Sequence, residues 1–148
     1  EPHVERSLRE QVADANLTDR VFFHGRLPVD QTREMFDRAH LFVLASRRGP
    51  DGAREAQGVV VQEAQACGLP TIVARSGGLP ESVIEGKSAL LFDEGDADDL
   101  SAKLSELLQS PQRWPTMGRA GRLWVKDHFS LKVSIEQILA VYREAITG

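Results

Sequence analysis

The hydrophobic positions of the chain follow two spacings, one typical of helices and one typical of buried strands. Val4, Leu8, Val12 and Ala15 recur at steps of four and three residues, so they predict an amphipathic helix, which Asn16 ends. Four short segments that are continuously apolar or rich in β-branched and aromatic residues predict strands: Val21–His24, Leu41–Leu44, Thr71–Ala74 and Ala89–Phe92.

Helical segments separate the predicted strands. Asp30 is a candidate N-cap for a helix that carries Phe36, and Val59–Cys67 predicts a second helix, which Gly68 ends. Continuous rather than alternating apolar strands, joined by helices, indicate a parallel sheet that is covered on both faces. The predicted fold class is therefore α/β.

After Asp96 the pattern is helical only. Asp96 is expected to cap the first of three closing helices, Pro111 to open the second and Ser130 to open the third. The third helix carries an apolar stripe that is expected to pack against the sheet or against another domain. This stripe consists of Leu131, Ile135, Ile138, Tyr142 and Ala145.

Length and composition fit one folded domain that spans residues 1–148. With 41% hydrophobic residues the chain can bury a core, and its single cysteine, Cys67, cannot form an internal disulfide. A net charge of −4 disfavours nucleic acid as a partner, and the apolar runs are far shorter than the roughly 20 residues of a spanning helix. We therefore expect a cytoplasmic protein. Because the chain begins with Glu1 and not with Met, we expect a piece of a longer protein.

The candidate ligand site lies in the loops that follow the predicted strands, because ligands of open parallel sheets bind at the carboxyl ends of strands. These loops are residues 25–29, 45–58 and 75–81. Loop 45–58 leads directly into a helix, and the free N–H groups of a helix N-terminus suit a phosphate or a diphosphate. The spacings of a dinucleotide fingerprint or a P-loop do not occur, so this is a generic anion site.

Two carboxylates bracket this anion site, Glu55 and, eight residues later, Glu63. Carboxylates repel a diphosphate, but they accept hydrogen bonds from hydroxyl groups such as those of a ribose and a hexose. A nucleotide diphosphate sugar combines these groups. The spacing favours this interpretation over two ordinary carboxylates on a helix surface.

With these motifs the sequence resembles the donor-binding half of the GT-B glycosyltransferases, in particular the retaining glycosyltransferase family four, which includes enzymes of bacterial polysaccharide biosynthesis. The resemblance covers nearly the whole chain and implies a Rossmann-like parallel sheet with helices on both faces. It rests on the segments Val21–Leu27 and Leu41–Ser46, the Glu-x7-Glu motif, Gly68–Pro70, Gly77–Glu81 and Phe129–Ser130.

The resemblance implies a role for each residue of the Glu-x7-Glu motif. Glu55, the catalytic candidate, would hold hydroxyl groups of the donor hexose near the reacting carbon, and Glu63 would take the ribose hydroxyls. The backbone N–H groups of Gln57, Gly58 and Val59 would face the diphosphate.

The resemblance also places three further groups at the donor site. Gly25, Arg26 and Leu27 would flank the base. Gly77 and Gly78 would lie beside the donor, an interpretation that we favour over a mere tight turn. For the loop arginines, phosphate binding and a solvated loop are equally compatible with the sequence; these are Arg47, Arg48 and Arg54.

The mechanism that the resemblance implies is transfer with retention at the anomeric carbon, from a nucleotide diphosphate sugar as substrate, with no cofactor and no metal. The four histidines are too scattered for a metal-ligand cluster. The acidic residues between Asp93 and Asp99 lack EF-hand spacing, so we expect helix capping rather than calcium binding.

Two departures from the family concern the motif itself. Gln57 stands where phenylalanine is common, and eight residues separate Ser46 from Glu55 where a few are common, which leaves the sugar preference open.

A third departure is that the family's first two strands, with a Gly-Arg loop and a lysine that neutralise the leaving diphosphate, have no counterpart here. We expect the natural protein to continue upstream into an acceptor-binding N-terminal domain, and this piece alone to be inactive.

Three alternatives stay open at this point. The protein could be a GT-B enzyme of other chemistry, such as an epimerase, or a non-catalytic module that binds a nucleotide sugar. A basic, aromatic face could bring it to anionic lipid at the inner membrane surface, although indole rings at this spacing more often close a core. That face would comprise Trp114, Arg119, Arg122, Trp124 and Lys126.

Overall fold

The structure is a computed structural model that describes residues 2–49, 52 and 55–147. The chain divides into two compact units, residues 1–32 and 33–148, and each is described by itself. Its α-helices are α1 (Pro2–Asp14), α2 (Val29–Arg38), α3 (Val59–Ala66), α4 (Ala97–Leu108), α5 (Trp114–His128) and α6 (Leu131–Thr147). Its strands are β1 (Phe42–Leu44), β2 (Thr71–Ala74) and β3 (Ala89–Phe92), and two short 3-10 helices span Leu79–Ser82 and Pro111–Arg113.

The first unit contains α1, which the sequence pattern predicted. Asn16 has a left-handed φ of 56°, and its N–H donates to the carbonyl of Ala13 while that of Leu17 donates to Val12, which is the Schellman motif that ends a helix. The prediction that the helix ends at Asn16 is therefore confirmed.

The strand predicted over Val21–His24 is wrong. Residues 21–25 have no regular secondary structure, and the side chain of Phe22 is 69% exposed. A strand is stabilised by a hydrogen-bonded neighbour and by burial. Among the described residues of the first unit this segment has no ladder partner, and none of its own residues is fully buried, so its β-forming composition does not produce a strand.

The second unit contains a parallel sheet of three strands in the order β1-β2-β3. In register, Val43 lies beside Ile72, which lies beside Leu90. Every residue of β2 and β3 is buried, whereas β1 at the edge is half-buried. The α/β class and the parallel sheet are thereby confirmed, with three of the four predicted strands.

The core joins the sheet to the helices that cover it. Ile72, Val73 and Leu91 pack with Val61 of α3 and Leu107 of α4, and all five are at least 96% buried. Because β2 is buried from end to end, it carries no polar face, as expected for a central strand of a parallel sheet.

Helix starts agree with the sequence in part. The Asp96 carboxylate accepts the N–H groups of Asp98 and Asp99 and so caps α4, as predicted. Pro111 opens a 3-10 helix that runs into α5. Asp30 is the second residue of α2 rather than its cap.

The closing helix α6 begins after Ser130 as predicted, but its apolar stripe is exposed. Leu131 is 77% exposed and Tyr142 63% exposed, so the stripe does not pack against the sheet. Its packing against another domain stays a prediction. Of the helices in the described ranges, none has the length and hydrophobicity needed to cross a membrane.

Candidate functional site

The carboxyl ends of the three strands form one edge of the sheet, because the strands are parallel. The segments that leave this edge are 45–49 after β1, 75–78 after β2 and 93–96 after β3. The predicted site residues of the second unit that the structure describes lie on the first two of these segments, on α3, or in residues 55–58 just before α3.

Glu55 lies just before α3, and its carboxylate contacts the start of this helix. The Oε1 atom accepts the N–H of Gly58 at 3.3 Å, and the side chain of Glu55 is half-buried. Gly58 has φ 62° and precedes the first helical residue, Val59. The first intrahelical bond runs from Val61 to the Gly58 carbonyl, so the N–H of Val59 has no acceptor within the helix. The predicted anion site therefore has one backbone N–H without an acceptor in the helix, that of Val59, and a second, that of Gly58, bonded to a carboxylate.

The Gly77-Gly78 loop packs directly on the segment between Glu55 and Gly58. The N–H of Gly78 donates to the carbonyl of Glu55 at 3.1 Å. A Cβ atom on Gly78 would lie 2.0 Å from the carbonyl oxygen of Ala56, so only glycine fits there. The structure thus brings together the two loops that the sequence singled out, and it assigns Gly78 a packing role.

Glu63 lies on the exposed surface of α3, five residues after Gly58. At a rise of about 1.5 Å per residue, this places it ~7.5 Å further along the helix axis. The one short helix therefore positions both the predicted diphosphate donors and the second carboxylate. Gln57 is also exposed.

The loop after β1 is tied to the loop after β3. Arg48 donates its backbone N–H to Oε1 of Glu94 at 2.5 Å. This bond, and then the hydroxyl of Ser76, hold the pKa of Glu94 below its ordinary value. The side chains of Arg47 and Arg48 are exposed, and Arg54 lies outside the described residues.

The sequence analysis assigned no individual role to three residues in this region: two lie in the candidate loop 75–81, and the third, Ser82, lies just beyond it. Arg75 forms ion pairs with Glu85 and, at 3.7 Å, with Asp93. Ser76 is 2% exposed, and Ser82 donates its hydroxyl to the carbonyl of Gln57 at 2.6 Å. Arg75 and Ser76 could have been found from the sequence because they directly follow the predicted strand β2. No feature of the sequence marks Ser82 in this way.

Gly25, Arg26 and Leu27 belong to the first unit. Gly25 has φ 62° and lines an open depression of about 400 Å³ together with Phe22 and Phe23. Arg26 is exposed and Leu27 half-buried. Their proposed contact with a base stays a prediction.

Among the described residues no group of three or more His, Cys, Asp or Glu is arranged to hold a metal ion. Asp96 and Asp98 form an Asp-x-Asp pair in the sequence, but the Asp96 carboxylate is occupied by the cap of α4.

The aromatic residues of α5 contribute mainly to packing. Trp114 donates its indole N–H to the Leu107 carbonyl at 2.8 Å, and Trp124 stacks on His128 with ring centroids 3.6 Å apart. Both indole side chains are half-buried. This favours the core interpretation over the lipid-binding one.

Comparisons with known proteins agree on one group. A family model described as "Glycosyl transferases group 1" matches residues 1–124. A GDP-mannose-dependent alpha-(1-6)-phosphatidylinositol monomannoside mannosyltransferase of Mycolicibacterium smegmatis is 32% identical over an aligned length of 148 positions. The aligned part covers 97% of this chain and 38% of that protein.

Two solved structures extend the similarity to the fold. The sucrose-phosphate synthase of Thermosynechococcus elongatus has 30% identity and a TM-score of 0.82, over 96% of this chain and 34% of that one. The Anabaena protein HepE in complex with UDP has 26% identity and a TM-score of 0.79, over 95% of this chain and 36% of that one. The chain therefore spans between 34% and 38% of the length of these three proteins.

Proposed function

The chain belongs to the glycosyl transferases group 1 family, and from that premise we propose that it is the donor-binding part of an enzyme that transfers a hexose from a nucleotide diphosphate sugar. The acceptor is a glycan, a lipid or a small molecule. The acceptor-binding domain lies elsewhere in the same protein. The observation that carries the proposal is the start of α3, where the Glu55 carboxylate accepts the Gly58 N–H next to the N-terminus of the helix.

The proposed roles follow from the charges at this helix. The backbone N–H groups of Gly58 and Val59 donate to the diphosphate, aided by the positive end of the helix dipole. In the free protein the Gly58 N–H is bonded to Glu55, so donor binding exchanges that contact for a phosphate oxygen. The carboxylate is then available to the hydroxyls of the hexose, while Glu63 takes those of the ribose.

We further propose that transfer proceeds with retention and without a metal. The leaving diphosphate gains negative charge as the glycosidic bond breaks, and donors already aimed at it stabilise that charge. The N-terminus of α3 supplies such donors, and the exposed Arg47 and Arg48 add positive charge on the loop after β1.

Titration calorimetry on the full-length protein tests donor binding. GDP, UDP and ADP and their hexose conjugates are compared, because the mannosyltransferase relative is named for GDP-mannose and the Anabaena structure holds UDP. Glu63→Ala should weaken the preferred nucleotide by roughly 1–3 kcal/mol, since its ribose hydroxyls lose an acceptor. Glu136→Ala, an exposed carboxylate on α6, is the control and should bind as the wild type does.

Product analysis tests the chemistry. The anomeric configuration of the product, read by NMR, should match that of the donor, and EDTA should leave the rate unchanged. Binding without transfer to any acceptor would favour a non-catalytic module, and an isomerised donor would favour an epimerase. No binding of any nucleotide would overturn the proposal.

A further inference from the structure

The peptide unit between Gln57 and Gly58 is held from its carbonyl side by a buried serine. Ser82 donates its hydroxyl to the carbonyl oxygen of Gln57 at 2.6 Å. A second acceptor, the Gly78 carbonyl, is more distant at 3.4 Å, so the proton points at Gln57. Ser82 is 2% exposed and ends the 3-10 helix Leu79–Ser82.

Holding this carbonyl also orients the N–H of Gly58. A trans peptide unit is planar, and its C=O and N–H point in opposite directions. The Gln57 carbonyl faces Ser82 in the interior, so the Gly58 N–H faces the opposite side, where it meets the Glu55 carboxylate.

Gly58 has no side chain that could restrain the orientation of this peptide unit. Its φ is 62°, and glycine changes between left-handed and other conformations at little steric cost. A residue with a Cβ atom would be strained there, because φ is left-handed and the Cβ would lie 2.3 Å from Cδ2 of Leu79, a fully buried side chain that would have to shift. The restraint on the peptide plane must therefore come from outside the residue, and Ser82 provides it.

Ser82 is itself fixed by helix α3. The amide of Gln65 donates to the Ser82 carbonyl at 2.9 Å, and Gln65 is fully buried. The helix whose N-terminus faces the anion site thus anchors the serine that orients the peptide in front of it.

We propose that Ser82 is a positioning residue, whose hydroxyl sets the plane of the Gln57–Gly58 peptide so that the Gly58 N–H points at the diphosphate of the donor. This inference rests on the proposed function. Ser82 acts through the backbone of Gln57 and touches no substrate. Its contribution therefore falls on the diphosphate and leaves the nucleoside contacts unchanged.

The experiment compares nucleoside diphosphate with nucleoside in the full-length protein. The affinities of GDP and guanosine, and of UDP and uridine, are measured by NMR titration for wild type and Ser82→Ala. The variant should bind the diphosphate about fivefold more weakly, the size of one lost hydrogen bond, with nucleoside affinity unchanged.

Ser88→Ala is the matched control. Ser88 is also fully buried, and its hydroxyl oxygen accepts a backbone N–H, that of Ile84 at 2.9 Å, but in a different turn. It should leave both affinities unchanged. Ser82→Cys keeps the side-chain size with a much weaker donor, and it gives the same comparison if Ser82→Ala fails to fold.

Two results overturn the inference while leaving the proposed function intact: unchanged diphosphate affinity in both Ser82 variants, or an equal loss for diphosphate and nucleoside. A wild-type protein that binds none of GDP, UDP and ADP overturns both proposals, and that failure is visible before any variant is made.

Discussion

A Cβ atom placed on Gly118 would lie 1.9 Å from the carbonyl oxygen of Gly68. Helix α5 therefore approaches the turn after α3 backbone to backbone, at a distance that only glycine permits. Gly68 has φ 85° and ends α3 with the hydrogen bonds of a Schellman motif. The turn cannot move aside as the end of a flexible side chain would.

Gly118→Ala should destabilise the protein by about 1–3 kcal/mol through overpacking, although alanine is intrinsically the better helix former. Urea unfolding followed by tryptophan fluorescence measures this, since both tryptophans lie on α5. Gly121→Ala is the control: there a Cβ would meet only the side chain of Gln65, at 3.0 Å. The loss of stability in Gly121→Ala should be smaller than in Gly118→Ala. A Gly118→Ala protein as stable as the wild type would contradict the close approach of the two backbones.

The parts of the fold that the sequence predicted are those whose signal is local. Thr71–Ala74 and Ala89–Phe92 are strands over the predicted residues, because a strand buried on both faces needs an unbroken apolar run. Val21–His24 has strand composition too, but a strand also needs a neighbour, which its own residues cannot encode. The close approach of Gly118 is likewise set by the partner backbone.

The same distinction applies to the site. The spacing of Glu55 and Glu63 is a local pattern, whereas the hydrogen bond from the Gly78 N–H to the Glu55 carbonyl joins two loops far apart in the chain. Ser82 lies 25 residues from Gln57 in the chain, and a single serine in a turn carries no pattern that would pair it with a distant carbonyl.

Asp96→Ala should lower the free energy of unfolding by about 1 kcal/mol, because the carboxylate that accepts the N–H groups of Asp98 and Asp99 is lost from the start of α4. The melting temperatures of the wild type and the variant, measured with and without calcium, test both the helix cap and the expected lack of calcium binding. We expect calcium to leave the melting temperature of the wild type unchanged. A calcium-dependent rise that disappears in Asp96→Ala would instead indicate a cation site.

Cys67 should be slow to alkylate. Burial, followed by the nearby charge of Asp37, raises the pKa of its thiol above the ordinary value. Since the thiolate is the nucleophile, less of it is present at pH 8 than in a free cysteine. The rate with iodoacetamide should rise steeply with pH above 9, and the same chain unfolded in urea should react at the ordinary rate. Equal rates for the folded and unfolded chain at pH 8 would contradict this.

The hydrogen bond from the Arg48 N–H to the Glu94 carboxylate should weaken in acid. The pKa of Glu94 is lowered in the folded protein, so its ionised carboxylate stabilises the fold. This stabilisation is fully present above the ordinary glutamate pKa of 4.5 and is lost as the pH falls through the lower pKa of the folded state. The Arg48 amide resonance should therefore stay constant between pH 7 and about pH 5. Below that it should move as the carboxylate is protonated and becomes a weaker acceptor.

Glu94→Gln separates this tie from general acid effects. The amide side chain keeps the shape but removes the charge, so the Arg48 resonance should shift already at pH 7 and then show no titration. Glu81→Gln, which alters an exposed carboxylate next to the Gly77-Gly78 loop, should leave the Arg48 titration as in the wild type. An Arg48 amide that titrates identically in the Glu94→Gln protein would mean that another acid holds the loop after β1.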